Sequence, residues 1–267
     1  MKKSTYILIG FLAVVCLLAF FLPPLVFRTY NVKTISLSEN YVSKELPAFS
    51  VIQFVNVNFG GDDPLFKINA TEDSLKVGRI EINEVFADLK DGFRVSGDTL
   101  YIDMNVVRDD KDEDSYRVVG AVYEKTDKPA AIFYLAQSVN PYTLMMNPWM
   151  DIELEGLEST DFIVYGNGTL NVSESSLHKV EMYGEDGDYK YYGLQLNLKD
   201  NSNIERLNVM DNGLVIKTSE SRIDTIFASS ERNITIELEE ADFSTLITDE
   251  NSSVSVSLKG EATISKE

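Results

Sequence analysis

The single histidine of the chain, His178, lies three residues after Ser175. A nucleophile–histidine–acid triad could be composed on paper from these two residues with Asp186 or Asp188. A triad is defined by its geometry, however, and not by proximity in sequence. The residues around Ser175 also lack the G-x-S-x-G turn that exposes a nucleophilic serine in many hydrolases. We therefore expect His178 to be a surface histidine, and the sequence assigns no catalytic residue.

Carboxylates are concentrated in one short segment that could offer oxygen ligands to calcium. The segment contains Asp109, Asp110, Asp112, Glu113 and Asp114. Its spacing does not match the D-x-[DN]-x-[DN]-G pattern of a calcium loop. A solvated turn between two strands explains a run of like charges better. We expect no metal site and no cofactor.

Four tyrosines are grouped in the segment 183–193. They are Tyr183, Tyr189, Tyr191 and Tyr192. Exposed tyrosines would offer rigid, amphipathic contact area to sugar rings or to a protein. The same side chains could instead cap a hydrophobic core. These four residues are the candidate ligand-binding site, and both interpretations stay open at this point.

The charge balance limits the classes of partner. The 267 residues contain 24 Lys and Arg against 43 Asp and Glu, which gives a net charge of −19. A surface this acidic repels phosphate backbones and anionic headgroups. We therefore expect no nucleic-acid partner.

A long apolar segment near the N-terminus predicts a membrane anchor. Residues 6–27 carry no charge, and about 20 apolar residues suffice for a helix to cross the hydrocarbon. A cleavable signal peptide has a shorter apolar core and a small-residue cleavage site. Lipidation at Cys16, the only cysteine, is a further alternative, but Val15 stands where a small residue is expected. Lys2 and Lys3 precede the segment, so the positive-inside rule places the N-terminus in the cytoplasm.

After the anchor, apolar residues recur at every second position, as in half-buried β-strands. Turn signals rich in Gly, Asp and Pro separate these segments. The predicted strands cover residues 30–37, 50–59, 65–70, 78–89, 99–107, 117–124 and 130–137. The stretch 140–150 has two prolines and the only Trp, which predicts an irregular connection.

The C-terminal third repeats with a step of 20 residues. Apolar triplets begin at Leu194, Leu214, Ile234 and Val254, each followed by a second apolar element. A fainter copy begins at Leu170. One such coil cannot bury its own apolar face, whereas stacked coils bury a continuous column. The step favours a β-solenoid over an antiparallel sandwich, with residues 200–202, 219–221 and 239–241 facing solvent at the corners.

These features resemble the head-GIN domain family, whose label reads "putative auto-transporter adhesin" and which is common in Bacteroidota. The resemblance covers roughly residues 45–260. It rests on the opening strand LPAFSVI (46–52), the strand GDTLYI (97–102) and the closing strand VSVSLKG (254–260). The coils differ from the usual form in having few glycines, and the acidic segment 109–114 lengthens one connection. The resemblance implies a right-handed parallel β-helix on a bacterial envelope protein and transfers no catalytic residue.

The predicted organisation combines one transmembrane helix with an all-β, β-solenoid-like region that is periplasmic or extracellular. The segments are a cytoplasmic stretch (1–5), a signal-anchor (6–27), a linker with the first strand (28–44), an N-terminal β subdomain (45–150) and a C-terminal solenoid subdomain (151–267). We expect a non-enzymatic envelope protein for adhesion, recognition or scaffolding, with a glycan or an envelope protein as ligand. The alternatives are an accessory of an envelope-sensing system that acts through a membrane partner, and a polysaccharide-active β-helix enzyme.

Overall fold

The fold is known from a computed structural model. It describes residues 34–59, 64–71, 77–105, 122–123, 128–136, 140–146, 150–184, 194–210, 214–229, 234–239, 242–249, 254–259 and 263–264. Within these ranges the chain forms two ten-stranded sheets, one two-stranded sheet and one short helix. The all-β prediction is therefore confirmed.

The first large sheet, sheet 1, contains ten strands. In spatial order they are β2 (Tyr41–Glu45), β5 (Arg79–Asn83), β9 (Ala131–Leu135), β4 (Leu65–Ala70), β11 (Asp151–Glu155), β13 (Gly168–Ser173), β15 (Leu194–Lys199), β17 (Leu214–Thr218), β19 (Ile234–Glu239) and β21 (Val254–Lys259). β2 and β9 both pair antiparallel with β5, and the other neighbours in sheet 1 are parallel.

The second large sheet, sheet 2, also contains ten strands. In spatial order they are β6 (Phe93–Ser96), β7 (Thr99–Asn105), β3 (Val51–Asn58), β10 (Tyr142–Met145), β12 (Glu158–Tyr165), β14 (Ser176–Tyr183), β16 (Asn203–Met210), β18 (Arg222–Ser229), β20 (Asp242–Thr248) and β22 (Thr263–Ile264). Only β6 is antiparallel to its neighbour. The small third sheet pairs β1 (Thr34–Ile35) with β8 (Val122–Tyr123).

From β10 onward, successive strands alternate between the two sheets. Each strand pairs in parallel with the strand two places later in the chain, so Ile152 lies beside Leu170 and Phe162 beside Val180. Apolar residues point inward at every second position, and the polar residues between them face outward. Period-two alternation in the sequence thus becomes one buried face on each sheet.

The 20-residue step is confirmed at two of three positions. Leu194 pairs with Leu214, and Ile234 pairs with Val254. Leu214, however, pairs with Ile236, a step of 236 − 214 = 22 residues. A shift of two residues leaves the same face of a strand buried, so the alternation could not distinguish the two registers.

Both sheets contain strands from either side of position 150. β3 and β4, from the first half of the chain, pair with β10 and β11. The prediction of an irregular connection at 140–150 is wrong for Tyr142–Met145, which is a strand between β3 and β12. Residues 147–149 lie outside the described part of the chain, and the division into two subdomains stays a prediction.

The predicted strand 78–89 ends earlier than the sequence indicates. Residues 79–83 are a strand, but Glu84–Gly92 is a 3₁₀ helix. The Asn83 side chain begins this helix by accepting a hydrogen bond from the Val85 amide. Phe86 of the helix packs edge-on against Phe59 at 5.2 Å between ring centroids, which closes the end of the core.

One continuous hydrophobic cluster lies between the two sheets. Its end near the 3₁₀ helix is aromatic: Phe66 contacts Phe54 and Phe133 with centroids 4.9 Å and 6.3 Å apart. Farther along, the filling becomes Leu, Ile and Val, for example Leu196 and Ile216, which are fully buried. Burial of these side chains is the main stabilising contribution to the fold.

Buried serines close three corners between the sheets. Ser175, Ser202 and Ser221 each follow a residue with positive φ. The Ser202 hydroxyl accepts a hydrogen bond from the Ser175 amide at 3.2 Å and donates one to the Lys199 carbonyl at 2.7 Å. The expectation that Ser202 and Ser221 face solvent is wrong, because these hydroxyls satisfy buried backbone groups.

In the part of the chain that the structure describes, no helix is long and apolar enough to span a membrane. The predicted anchor at 6–27 lies outside the described residues and stays a prediction.

Candidate functional site

Two stacked tyrosines mark the outer face of sheet 2. Tyr183, the described member of the predicted tyrosine cluster, is the last residue of β14, and its register partner is Tyr165 at the end of β12. Their rings stack with centroids 4.8 Å apart and an interplanar angle of 18°. Tyr165 is 39% exposed. The other predicted members, at 189, 191 and 192, lie outside the described residues.

The stack continues across neighbouring strands as a row of outward-facing side chains. Strand register places Met145 beside Tyr165, Gln53 beside Met145, and Tyr101 beside Gln53. Met145 is 36% exposed, which is unusual for a methionine. We call Tyr101, Gln53, Met145, Tyr165 and Tyr183 the aromatic ladder.

The alternation of the strands dictates where the ladder points. The neighbours Leu144, Val164 and Met182 are buried in the core, so the residues that follow them face outward. The five ladder strands are adjacent, and four spacings of about 4.8 Å make the row about 19 Å long. At the outer end, the Arg94 guanidinium lies over the Tyr101 ring, 5.8 Å from its centroid.

A glycine corner fixes the ends of the central ladder strands. Gly166 follows Tyr165 with φ of +110°, and its amide donates to the Tyr183 carbonyl at 3.1 Å. The Met146 amide donates to the Tyr165 carbonyl at 2.8 Å. A Cβ atom on Gly166 would lie 2.2 Å from the Met146 carbonyl oxygen, so a side chain at this position would push the strands apart.

A polar cluster on β14 and β16 lies beside the Tyr183 end of the ladder. The Tyr183 hydroxyl donates to Glu181 Oε2 at 3.0 Å, and Lys179 forms an ion pair with the same carboxylate. Asn208 donates to Glu181 Oε1 at 3.5 Å. Partial burial raises the pKa of Glu181, but the bonds from Lys179, Tyr183 and Asn208 together outweigh it and leave that pKa below its usual value.

The cluster continues along β16 to Arg206, which reaches toward β18. Its Nε donates to Asn208 Oδ1 at 2.9 Å, and its guanidinium lies 5.4 Å from the centroid of the Phe227 ring. The border of the ladder therefore offers amide and carboxylate groups that are already held in position by other side chains.

In the structure, Ser175 and His178 of the possible triad each bond to other partners. Ser175 is buried, and its hydroxyl donates to the Ser173 carbonyl at 2.7 Å and accepts from the Leu157 amide at 3.1 Å. The His178 side chain is 57% exposed, with Nδ1 2.8 Å from Asp161 Oδ1. Ser175 is a structural corner residue, and the prediction of a surface histidine is confirmed.

The acidic residues 109, 110, 112, 113 and 114 lie outside the described residues, as do 186 and 188. Within the described ranges no group of three or more His, Cys, Asp or Glu is placed to hold a metal ion.

The sequence did not identify Tyr101, Gln53, Met145 or Tyr165 as site residues. Tyr165 lies 183 − 165 = 18 residues before Tyr183. Extending the coil repeat to one earlier coil would have predicted that these two residues are neighbours. Met145 was assigned to an irregular connection, which hid its alternation with Leu144.

No protein-family model matches the chain, and no curated protein matches it. Among solved structures, the chain is similar to a "putative adhesin" from Bacteroides fragilis with 9% identity and a TM-score of 0.45, covering 84% of this chain and 100% of the other. A "putative lipid binding protein" from Parabacteroides distasonis has 14% identity and a TM-score of 0.37, covering 88% and 100%. A "putative adhesin" from Parabacteroides merdae has 12% identity and a TM-score of 0.25, with the same coverage. At these TM-scores the likeness carries no argument about function.

Proposed function

We propose that the chain is a non-enzymatic, membrane-anchored envelope protein whose β-solenoid presents a recognition surface. The aromatic ladder on sheet 2 is the observation that carries this proposal. Met145 and Tyr165 are exposed neighbours, Tyr183 stacks on Tyr165, and grouped apolar side chains at a surface usually mark a binding site.

The ladder is suited to binding because its geometry is fixed before any ligand arrives. Each ladder residue sits on a strand that is hydrogen-bonded on both sides, and each has a buried neighbour beneath the sheet. A rigid aromatic surface loses little conformational entropy on binding. The tyrosines at 189, 191 and 192 follow Tyr183 in the chain, and we propose from the sequence alone that they contribute to ligand binding.

The solenoid part of the proposal is supported by the strand order. From β10 to β22, strands alternate strictly between the sheets, and each pairs in parallel with the strand two places away. This is the arrangement expected of stacked coils that bury one shared core. The strand order and the sequence resemblance together support our proposal that the chain is of the head-GIN type. A right-handed coil is part of that proposal.

The envelope location is supported by the uncharged segment 6–27 and the lysines before it. The non-enzymatic part is supported by the roles of Ser175 and His178, because a serine hydroxyl bonded to the backbone in a buried corner is not available as a nucleophile.

The test is ligand capture by the full-length chain in nanodiscs. The chain is incubated with a glycan array and with detergent extracts of bacterial envelopes, in parallel with Tyr165→Ser and Ile247→Ser variants. Ile247 is an apolar residue of β20 on the outer face of the same sheet, outside the ladder and 46% exposed, so it is the matched control.

We expect a ligand that the parent and Ile247→Ser variant retain and the Tyr165→Ser variant loses. Equal capture by all three proteins would place the contact elsewhere and contradict the role of the ladder. The thermal unfolding midpoint of each variant is measured first, so that a folding defect is not read as a binding defect.

A further inference from the structure

We infer that the aromatic ladder binds the same surface of a second copy of this chain, with the two copies related by a two-fold axis. This inference rests on the proposed function, since it names the partner of the same recognition surface.

The surface at the ladder is broader than a single file of side chains. Met210 on β16 is the register partner of Tyr183, so the row contains six residues on six adjacent strands. A second row lies beside it on the central strands and consists of the register partners Val51, Thr143 and Ile163. The residues between the two rows are buried, so both rows face outward. This breadth is what contact with a protein surface requires.

The order of the residues along the six-residue row makes the row complementary to itself. From β7 to β16 the row reads Tyr101, Gln53, Met145, Tyr165, Tyr183 and Met210. A two-fold axis parallel to the strands, placed between Met145 and Tyr165, reverses this order in the second copy. The facing pairs, each of which occurs twice, are then Tyr165 with Met145, Tyr183 with Gln53, and Tyr101 with Met210. Every tyrosine therefore faces a methionine or an amide.

These facing pairs are chemically favourable. Methionine sulfur makes favourable contacts with aromatic rings, and the flexible methionine side chain adapts to the available space. The Tyr183 hydroxyl donates to Glu181 Oε2, and its oxygen can accept a hydrogen bond from the Gln53 amide of the second copy. Two sheets that pack face to face lie about 10 Å apart, and side chains from both sheets fill that space.

The charge of the chain favours a second copy over an oppositely charged macromolecule. The net charge is −19, so two copies repel each other over much of their surface. The residues of the two rows are all uncharged, so contact between them brings no carboxylates together. Beside the row, the Arg206 and Lys179 cations are engaged with Asn208 and Glu181. The two rows thus offer a strongly charged partner no charge of opposite sign.

The size of the contact predicts a weak dimer. Six strands at a spacing of about 4.8 Å span about 24 Å, and the two rows lie about 7 Å apart along the strands. A stable interface buries about 800 Å² on each partner, which is more than two such rows supply. We therefore expect reversible association, favoured by the high effective concentration of chains held in one membrane.

The test is energy transfer between full-length chains in phosphatidylcholine vesicles, with a donor or an acceptor at the C-terminus. For the parent, transfer should rise with the protein-to-lipid ratio as dimers form. Tyr165→Lys and Met145→Glu each place an unpaired charge in the central pair twice. Each should therefore raise the dissociation constant at least about tenfold.

A mixture of these two variants tests the two-fold arrangement itself. The new lysine of one copy then faces the new glutamate of the other, while the second central pair remains Tyr165 with Met145. Transfer between the two variants should therefore recover to near the parental level. Ile247→Lys and Ile247→Glu are the charge-matched controls on the same sheet outside the row, and each alone should associate like the parent.

The outcomes separate this inference from the proposed function. A parent that shows no transfer, or transfer that Tyr165→Lys leaves unchanged, would overturn the dimer. Two weakened variants that do not recover when mixed would overturn the two-fold arrangement. In each of these cases, Tyr165-dependent capture of a glycan or an envelope protein would leave the recognition function standing. Absence of Tyr165-dependent binding to a second copy, to glycans and to envelope extracts would overturn both.

Discussion

The buried corner serines make a sharp prediction about stability, and Ser202→Ala tests it. Ser202 is almost fully buried, and its hydroxyl joins neighbouring corners by accepting from the Ser175 amide and donating to the Lys199 carbonyl. Alanine removes the oxygen and leaves the Ser175 amide buried without this acceptor. An unsatisfied buried donor costs about 1–3 kcal/mol, so we expect a loss of about 2 kcal/mol in the free energy of unfolding.

The assay is thermal unfolding of the full-length chain in detergent, followed by circular dichroism. For a domain of this size, 1 kcal/mol shifts the midpoint by about 2–4 °C, so Ser202→Ala should lower it by about 4–8 °C. Ser219→Ala is the matched control, because Ser219 is exposed and its backbone amide keeps its bond to the Leu198 carbonyl. We expect the control to change stability by less than about 0.5 kcal/mol. Equal midpoints for the two variants would refute the corner-serine reasoning.

Two further predictions concern the frame of the ladder. Gly166→Ala should lower the free energy of unfolding by about 2 kcal/mol or more, because φ is +110° and the new Cβ would meet the Met146 carbonyl. Gly156→Ala is the control, because a Cβ there would meet nothing within 4 Å. It should cost clearly less in the same unfolding assay. The pKa of Glu181 is lowered by its ion pair with Lys179 and its hydrogen bonds, despite partial burial. The ionised carboxylate therefore stabilises the folded chain at neutral pH. This stabilisation is lost as the pH falls below the ordinary carboxyl pKa toward the lowered one. Midpoints measured from pH 7 to pH 3 should therefore fall more steeply for the parent than for Glu181→Gln, and parallel curves would contradict this account.

The period-two pattern was sufficient to locate many strands. Residues 51–58, 65–70 and 99–105 are strands close to the predicted bounds because they alternate between a buried and an exposed face. The same pattern was wrong at 84–89, which belongs to the 3₁₀ helix Glu84–Gly92, because the Asn83 cap and burial of Phe86 favour a helix there. Alternation reports which residues can be buried, but it does not report where the backbone leaves the sheet.

The order in which strands pair was harder to predict. Leu214 pairs with Ile236 and not with Ile234, and both registers bury the same face. Non-sequential pairing of β3 with β10 likewise leaves no local signal, because it depends on how distant segments pack. The aromatic ladder is not visible in the sequence for the same reason. Its members come from five separate strands, and only strand pairing lines up Tyr101, Met145 and Tyr165.

The polarity of the corner serines predicts exposure, but the structure buries them. Serine at a turn is usually exposed, yet Ser202 follows the positive-φ residue Asn201 and turns inward to bond the adjacent corner. At three corners a residue with positive φ is followed by a serine. An alignment of the coils with one another would show this serine at the same position in each coil.

The most direct test of the recognition surface is the dissociation constant of one captured ligand for the parent, Tyr165→Ser and Ile247→Ser chains in nanodiscs. We predict about tenfold weaker binding for Tyr165→Ser and an unchanged constant for Ile247→Ser. An unchanged constant for Tyr165→Ser, with the variant folded, would contradict the proposal that the aromatic ladder is the binding surface.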